Sequence, residues 1–409
     1  MSIINTKRLR DYPRLMFFTT WLILALNLLL RQGWLGGLHQ IIGSDFITLY
    51  SAGVAYRIDL AHLYDFARQF SIQQALINPT LLPGVNPYIS PPYVAQIYSL
   101  FTYITLPVAF FLWTLLSLGF AFGAIYLCHS LLPESMKSRL TVWQLLIIAF
   151  SFFPFIEGLQ AGQNHTLTLL LISAVLVFTL SEHWSLAGVM AGLMIYKPQL
   201  VIGILVIWII WRKYKALGAF AITSLLWAGS FYIINGIEPY KIYLSLSRDL
   251  FLLPYLEGFP GYLLITFYGL VTTIFPLSTL PIIRVLTIVF AFILLLVLSW
   301  LAFRFRNVPI IDKTPILALA ILIPILVFPY ALLHDMVIII PAFILWARYS
   351  SSRILLYTAI TVYLGCFILL LISTLTKIAL ITLIPISLIV MIILYIFKSR
   401  RDIFMKPTL

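Results

Sequence analysis

The sequence predicts an all-α polytopic membrane protein, with about twelve transmembrane helices and a long first external loop that carries amphipathic helices. Three observations predict it. Hydrophobic residues make up 62% of the 409 residues and charged residues 10%, against about 45–50% and about 25% in soluble domains. The apolar residues fall into long runs separated by short polar stretches. The basic residues collect at the ends of those runs, in Lys7-Arg8-Leu9-Arg10, Trp211-Arg212-Lys213-Tyr214-Lys215 and Lys398-Ser399-Arg400-Arg401, as Lys and Arg do in cytoplasmic loops. The formal net charge of +13 therefore reads as topology and as contact with anionic membrane lipids, and no nucleic-acid partner is expected. The two cysteines, Cys128 and Cys366, sit in apolar runs and give neither a disulfide framework nor metal-ligand spacing.

Residues 1–14 hold four basic residues and one acid and are expected as a cytoplasmic tail. The first span covers about 15–30. It has no small-residue cleavage site after it and reads as a retained helix. Residues 31–92 form the first external loop, too polar and too punctuated to cross a bilayer. Ala52 to Ala75 alternates apolar and polar residues at helical spacing and predicts interfacial helices, broken at Asn78-Pro79 and Pro83-Gly84. Pro107 divides the next apolar run into spans at about 93–106 and 107–129. Spans follow at about 142–158 and 164–181. The run from Leu186 to Trp211 carries Lys197-Pro198 near its middle, so it is one broken helix or two short halves. A further span covers about 217–234.

Residues 235–280 form a second external or interfacial segment, with 262–276 lying at the interface. Treating that piece as non-spanning keeps every later basic loop inside. Spans then lie at about 281–303, 314–331, 335–348, 354–372 and 376–397, and residues 398–409 are a cytoplasmic tail. The whole chain, 1–409, reads as one integral membrane unit. On this count Glu134, Lys137 and Arg139 fall outside, and Gln163 falls near the inner face.

Ionisable groups at membrane depth are costly and point to function. Few exist here: Asp45 at the outer boundary, Glu157, the Gly162-Gln163-Asn164-His165 turn, Lys197 and His334-Asp335. Asp45, two residues after Gly43 and followed by aromatics, can deprotonate a hydroxyl; alternatively Ser44 or Asp45 caps the helix that follows. Lys197 beside a helix-breaking proline suits a lipid-linked phosphate, or it snorkels from a helix end. His334 can hold phosphate when protonated or shuttle a proton, or belong to an ordinary loop. Gln163 and Asn164 can bond sugar hydroxyls or neighbouring helices. The prolines of Tyr88-Ile89-Ser90-Pro91-Pro92-Tyr93 fix the chain's re-entry into the membrane. There is no lysine-bearing phosphate loop, no Gly-x-Ser-x-Gly elbow and no zinc motif.

Taken in order, Asp45-Phe46 with Tyr50, Asp59-Leu60, Leu63-Tyr64-Asp65, Tyr88 to Tyr93, Gly162-Gln163-Asn164, Ala187-Gly188, Gly192-Leu193, Lys197-Pro198 and His334-Asp335 resemble glycosyltransferase family 87. These are GT-C-type transferases typified by mannosyltransferases of mycobacterial phosphatidylinositol mannoside synthesis, and the resemblance covers most of residues 43–350. It implies a GT-C fold and inverting transfer, most simply of mannose, from a polyprenyl-phosphate-sugar donor to a lipid or glycan acceptor. The chemistry would lie outside the cytoplasmic membrane and use no metal or other cofactor. The resemblance places the general base at Asp45 and the donor phosphate at Lys197 and His334. Tyr50, Asp59, Tyr64, Gln163, Asn164 and Asp335 are candidates for sugar or acceptor binding. Two departures bear on the acceptor: Gly258-Phe259-Pro260-Gly261 replaces an Asn-Gln-Ser-like stretch, and no extended C-terminal soluble region is expected. The competing expectation is a transporter or flippase, which accounts for the many spans and the broken helix but not for the Tyr- and Asp-rich first loop.

Overall fold

The computed structural model describes residues 6–138, 140–256, 259–347 and 352–404. Arg139, Glu257, Gly258, residues 348–351 and both chain ends lie outside the described residues. Among the described residues the fold is all helix. α1 (Thr6–Leu29) leads into the first loop, which folds as α2 (Ser44–Ile58) and α3 (Phe66–Ile77). Then come α4 (Pro92–Ser99), α5 (Leu106–Ser130), the single turn α6 (Glu134–Lys137), α7 (Val142–Ser151), α8 (Phe153–Ala161), α9 (His165–Leu180) and α10 (Trp184–Leu193). They are followed by α11 (Ile202–Ile210), α12 (Tyr214–Asn235), α13 (Glu238–Asp249), α14 (Phe267–Ile274) and α15 (Leu280–Arg304). The chain closes with α16 (Thr314–Val327), α17 (Ile339–Ala347), α18 (Ser352–Thr376) and α19 (Leu383–Phe404).

Seven described helices are long and apolar enough to cross a membrane, or eight if α7 and α8 together make one, so this is a multi-pass membrane protein. The remaining apolar stretches expected as spans are shorter helices of 10–17 residues: α9, the two pieces around Lys197, and the Leu333–Ala347 stretch that ends in α17. α7 and α8 meet at 72° because Pro154, in the first turn of α8, cannot donate to the preceding turn and clashes with it.

The predicted span at 93–106 is not a span. Residues 92–103 form the eight-residue α4 and a 3-10 turn, Leu100–Tyr103, packed on α2. A run of this length is shorter than the about twenty residues that cross hydrocarbon and suits a buried helix. Removing it reverses the direction of the helices that follow. α5 and α9 now both run away from Asp45: Trp113 and Gly162 meet near their start and Cys128 and Ser173 further along. Gln163 consequently lies at the Asp45 end, and Glu134 and Lys137 at the opposite one.

The run through Lys197 is two short halves. α10 climbs to a pair of 3-10 turns, Met194–Tyr196 and Pro198–Val201, and α11 descends again. Lys213 returns to within 4.2 Å of the Trp184 ring, which closes the hairpin at its base. Its sides are seated by glycines. A Cβ on Gly188 would lie 2.2 Å from the Ala216 carbonyl oxygen, and one on Gly203 would lie 1.9 Å from that of Ala320. We expect Gly203→Ala to push α11 off α16 and cost about 1–3 kcal/mol, the range for overpacked sites. A thermal unfolding midpoint equal to wild type in the same detergent would contradict this seating.

The loop helices differ from expectation as well. α2 is mostly buried rather than interfacial, since Phe46 packs among Tyr98, Phe101, Phe110 and Trp113. α3 ends at Ile77, just before Asn78-Pro79. The end of the bundle away from Asp45 gathers Lys213, Arg304, Arg306 and Lys313: Lys313 lies over Trp211, whose indole donates to Ala302, and Lys313 donates to the Arg306 carbonyl.

Candidate active site

The local chain at Asp45 is set by two glycine turns. Gly43, at φ 69°, is the N-cap of α2 and donates its N–H to the Gln160 carbonyl at 2.9 Å. Gly162, at φ 71°, ends α8. A side chain there would collide with Phe46 and Phe110, and the Trp113 indole donates to its carbonyl at 2.8 Å. Left-handed backbone and close approach both demand glycine. Neither Ser44 nor Asp45 caps α2 through its side chain, so the capping alternative for Asp45 does not hold.

The Asp45 carboxylate is instead turned between two carboxamides. Asn86 donates to Oδ1 at 3.0 Å and Gln163 donates to Oδ2 at 3.0 Å. Each carboxamide is fixed from behind. Gln163 Oε1 accepts from the Asn164 N–H, which leaves its NH2 facing Asp45. The Asn86 backbone is bonded in both directions by the Gln73 amide. Each carboxylate oxygen has a second lone pair, and the side chain is 17% exposed, so the carboxylate can still accept a further proton or hydrogen bond.

Beyond Oδ2 the groups form a continuous line. His334 Nδ1 lies 3.9 Å from Asp45 Oδ2 and 3.5 Å from Glu157 Oε2. His334 Nε2 lies 3.9 Å from Asp335 Oδ2, and Asp335 Oδ1 accepts from Lys197 Nζ at 2.7 Å. His334 and Asp335 are almost fully buried and sit on the 3-10 turn Leu333–Ile338. Tyr330, half-buried, is close enough to Asp45, Glu157 and Asp335 to feel their charge. Lys197 is held at its turn by the Tyr93 hydroxyl, which donates to the Ile195 carbonyl, and by the Tyr196–Thr168 hydroxyl pair.

Of the expected site residues, the fold brings together Asp45, Gln163, Lys197, His334 and Asp335. Asn164 is buried beside Gln163, with its side-chain oxygen unpartnered among the described residues. Three others are occupied elsewhere. The Tyr50 hydroxyl donates to the Ile104 carbonyl, and the Tyr64 hydroxyl to that of Ser90. Asp59 is bonded to His62 at 2.7 Å and to Arg68 at 2.9 Å. The hydrogen bond from His62 holds the Asp59 carboxyl below its ordinary range, and the same bond lifts the imidazole. Tyr64 and Asp59 tie the first loop together, and Tyr50 ties it to the chain just after Leu100–Tyr103. Asn86 and Glu157 complete the cluster without having been assigned a role. Glu157 was visible as a charge at membrane depth, whereas Asn86 in Val85-Asn86-Pro87 reads as a turn residue. Among the described residues no group of three or more His, Cys, Asp or Glu could hold a metal ion.

Three separate elements thus place a carboxylate, an imidazole and an ammonium in one largely buried polar line inside an apolar bundle. The model of glycosyltransferase family 87 matches residues 88–329, more than half of the chain. That stretch contains Asn86's neighbours from Tyr88 onward, Glu157, Gln163 and Lys197, while Asp45 and His334-Asp335 flank it. No curated protein and no solved structure matches the chain.

Proposed function

The chain belongs to glycosyltransferase family 87, and from that premise we propose that it transfers mannose from a polyprenyl-phosphate-mannose donor to a hydroxyl of a lipid or glycan acceptor, with inversion. Asp45 takes the proton from the acceptor hydroxyl while that oxygen attacks the anomeric carbon. The bond from that carbon to the phosphate oxygen breaks, and its electron pair leaves with the polyprenyl phosphate. Lys197 and His334 stabilise the charge that develops there. Lys197 has three N–H donors, so it can hold Asp335 and still meet a phosphate oxygen. A β-linked donor gives an α-linked product.

The observation that carries this reading is the line from Asp45 through His334 and Asp335 to Lys197. A carboxylate stands at one end and an ammonium at the other, which suits a base and a phosphate-binding cation. The gathering of Lys213, Arg304, Arg306 and Lys313 at the far end of the helices supports a cytoplasmic position for that end. The cluster would then face the exterior of the cytoplasmic membrane, where lipid-linked donors serve in place of nucleotide sugars.

The test is to supply membranes containing the chain with radiolabelled polyprenyl-phosphate mannose and, in parallel, a polyprenyl-phosphate pentose. Mannose should move into a new glycosidic product in the lipid or glycan fraction. Pentose transfer alone would overturn the choice of sugar. Movement of the donor across the bilayer with no glycosidic product would overturn the reading as a whole and restore the transporter.

A further inference from the structure

Resting on that reading, we propose that Glu157 is the proton outlet of the site, receiving through His334 the proton that Asp45 takes from the acceptor. The reaction converts a phosphodiester donor into a phosphate monoester. The second ionisation of a phosphate monoester lies near about pH 6, so at neutral pH most of the acceptor proton has to leave the cluster before Asp45 can act again. Both Asp45 oxygens already accept from carboxamides, Asn86 and Gln163, and the remaining access to the carboxylate is what the acceptor needs. The His334 ring stands beside it, with Nδ1 3.9 Å from Oδ2.

His334 Nδ1 is buried and has no hydrogen-bond partner among the described residues, and the same is true of Glu157 Oε2. The two atoms face one another at 3.5 Å, with Asp45 Oδ2 at 3.9 Å from the same nitrogen. One ring nitrogen therefore addresses two carboxylates on two different helices. The other groups facing His334 are already committed. Asp335 is paired with Lys197 at 2.7 Å. The His165 ring, 6.3 Å away, turns both nitrogens to carbonyls, those of Gln163 and Phe155. Tyr330 lies within reach of the charges of Asp45, Asp335 and Glu157. Glu157 has no other ion-pair partner among the described residues, and its side chain is 27% exposed, the most accessible of the three carboxylates.

The proton bookkeeping closes in two transfers. With the ring neutral and its proton on Nε2, the Asp45 Oδ2–H bond breaks as the Nδ1–H bond forms. That transfer leaves a carboxylate and an imidazolium. The imidazolium appears just as the departing phosphate needs a cation beside Lys197. The Nδ1–H bond then breaks as Oε2–H forms on Glu157; rotation of the carboxyl turns that O–H from the buried position to the exposed side of the group, where it breaks and water takes the proton. The ring returns to neutral, and Asp45 is ionised for the next acceptor. No oxidant, reductant or co-reactant is required.

The experiment compares wild type, Glu157→Gln, Glu157→Asp and Asp45→Asn in membranes supplied with polyprenyl-phosphate mannose, across a pH series and in H2O and D2O. Glu157→Gln should lower kcat at least about tenfold, within the range for lost proton transfer, while KM for the donor stays at its wild-type value. Its solvent isotope effect should rise, because proton exit now limits turnover. Glu157→Asp keeps the carboxylate and should fall between the two. A Glu157→Gln chain with wild-type kcat and isotope effect overturns the outlet, as does a raised KM at unchanged kcat. If the Gln variant fails to reach the membrane, Glu157→Asp decides: a wild-type isotope effect there also overturns it. Asp45→Asn separates the two levels, since normal turnover in that variant sinks the reading beneath, whatever Glu157 does.

Discussion

Asp45→Asn should abolish sugar transfer while leaving the fold in place. Asparagine has the size of aspartate, so Asn86 keeps a carbonyl oxygen to donate to at one side. At the other side the Gln163 NH2, now 3.0 Å from an amide instead of a carboxylate oxygen, faces a second NH2 unless one amide flips. The loss in stability is that of one hydrogen bond, about 1 kcal/mol. The loss in chemistry is that of the base, about 10²–10⁴-fold for proton transfer alone. The measurement is initial rate of mannose transfer per folded chain, with folding judged by monodispersity in detergent. A folded variant that turns over within a few-fold of wild type removes Asp45 from the mechanism. Gln163→Leu is a useful companion. It keeps the carboxylate but frees its Oδ2, so transfer should fall by less than in Asp45→Asn, through misorientation of the base.

The second large effect is expected at Lys197. Lys197→Met removes the cation proposed to meet the phosphate and leaves Asp335 as a buried carboxylate with no ammonium. Both side chains are at most 13% exposed, so the pair is buried rather than screened. Removing one partner of such a pair costs about 3–5 kcal/mol. Lys197→Met should therefore lose both thermal stability and transfer. The double variant Lys197→Met, Asp335→Asn removes both charges. Stability should return toward wild type, because a neutral pair no longer carries an uncompensated charge, while transfer should stay lost. Recovery of transfer in the double variant would mean that Lys197 serves only to neutralise Asp335. Failure of stability to recover would mean that the ion pair is not what holds the Lys197 turn against the Leu333–Ile338 turn.

Much of this site is legible in the sequence because it breaks the apolar rule. Lys197 stands mid-run beside a proline, His334-Asp335 interrupts two apolar helices, and Asp45 follows a membrane exit. Each is costly in hydrocarbon, so each points to a use. What the sequence does not carry is depth. The apolar run at 93–106 is close enough to spanning composition to be taken for a crossing, and that one misplacement sent Gln163 to the wrong face. The tyrosines of the first loop mislead for a related reason. A hydroxyl near a membrane surface has the same composition whether it meets a sugar or, as at Tyr50 and Tyr64, a loop carbonyl. Asn86 is invisible because its neighbours Val85 and Pro87 make it look like a turn residue. Its role follows from Gln73, a residue on a different helix.

The wide spacing of the paired groups fixes an order of assembly. Asp45 and Gln163 are 118 residues apart, and Lys197 and Asp335 are 138 apart. During synthesis Asp45 and Asn86 are made early, and the second carboxamide, Gln163, arrives only with the turn after α8. The imidazole and the partner of Lys197 come last, once α16 is already in place. A nascent or truncated chain that stops before Leu333 therefore carries Asp45 and Lys197 without the His334-Asp335 pair that lies between them. The cluster is completed near the end of insertion, when the chain is already committed to the bilayer.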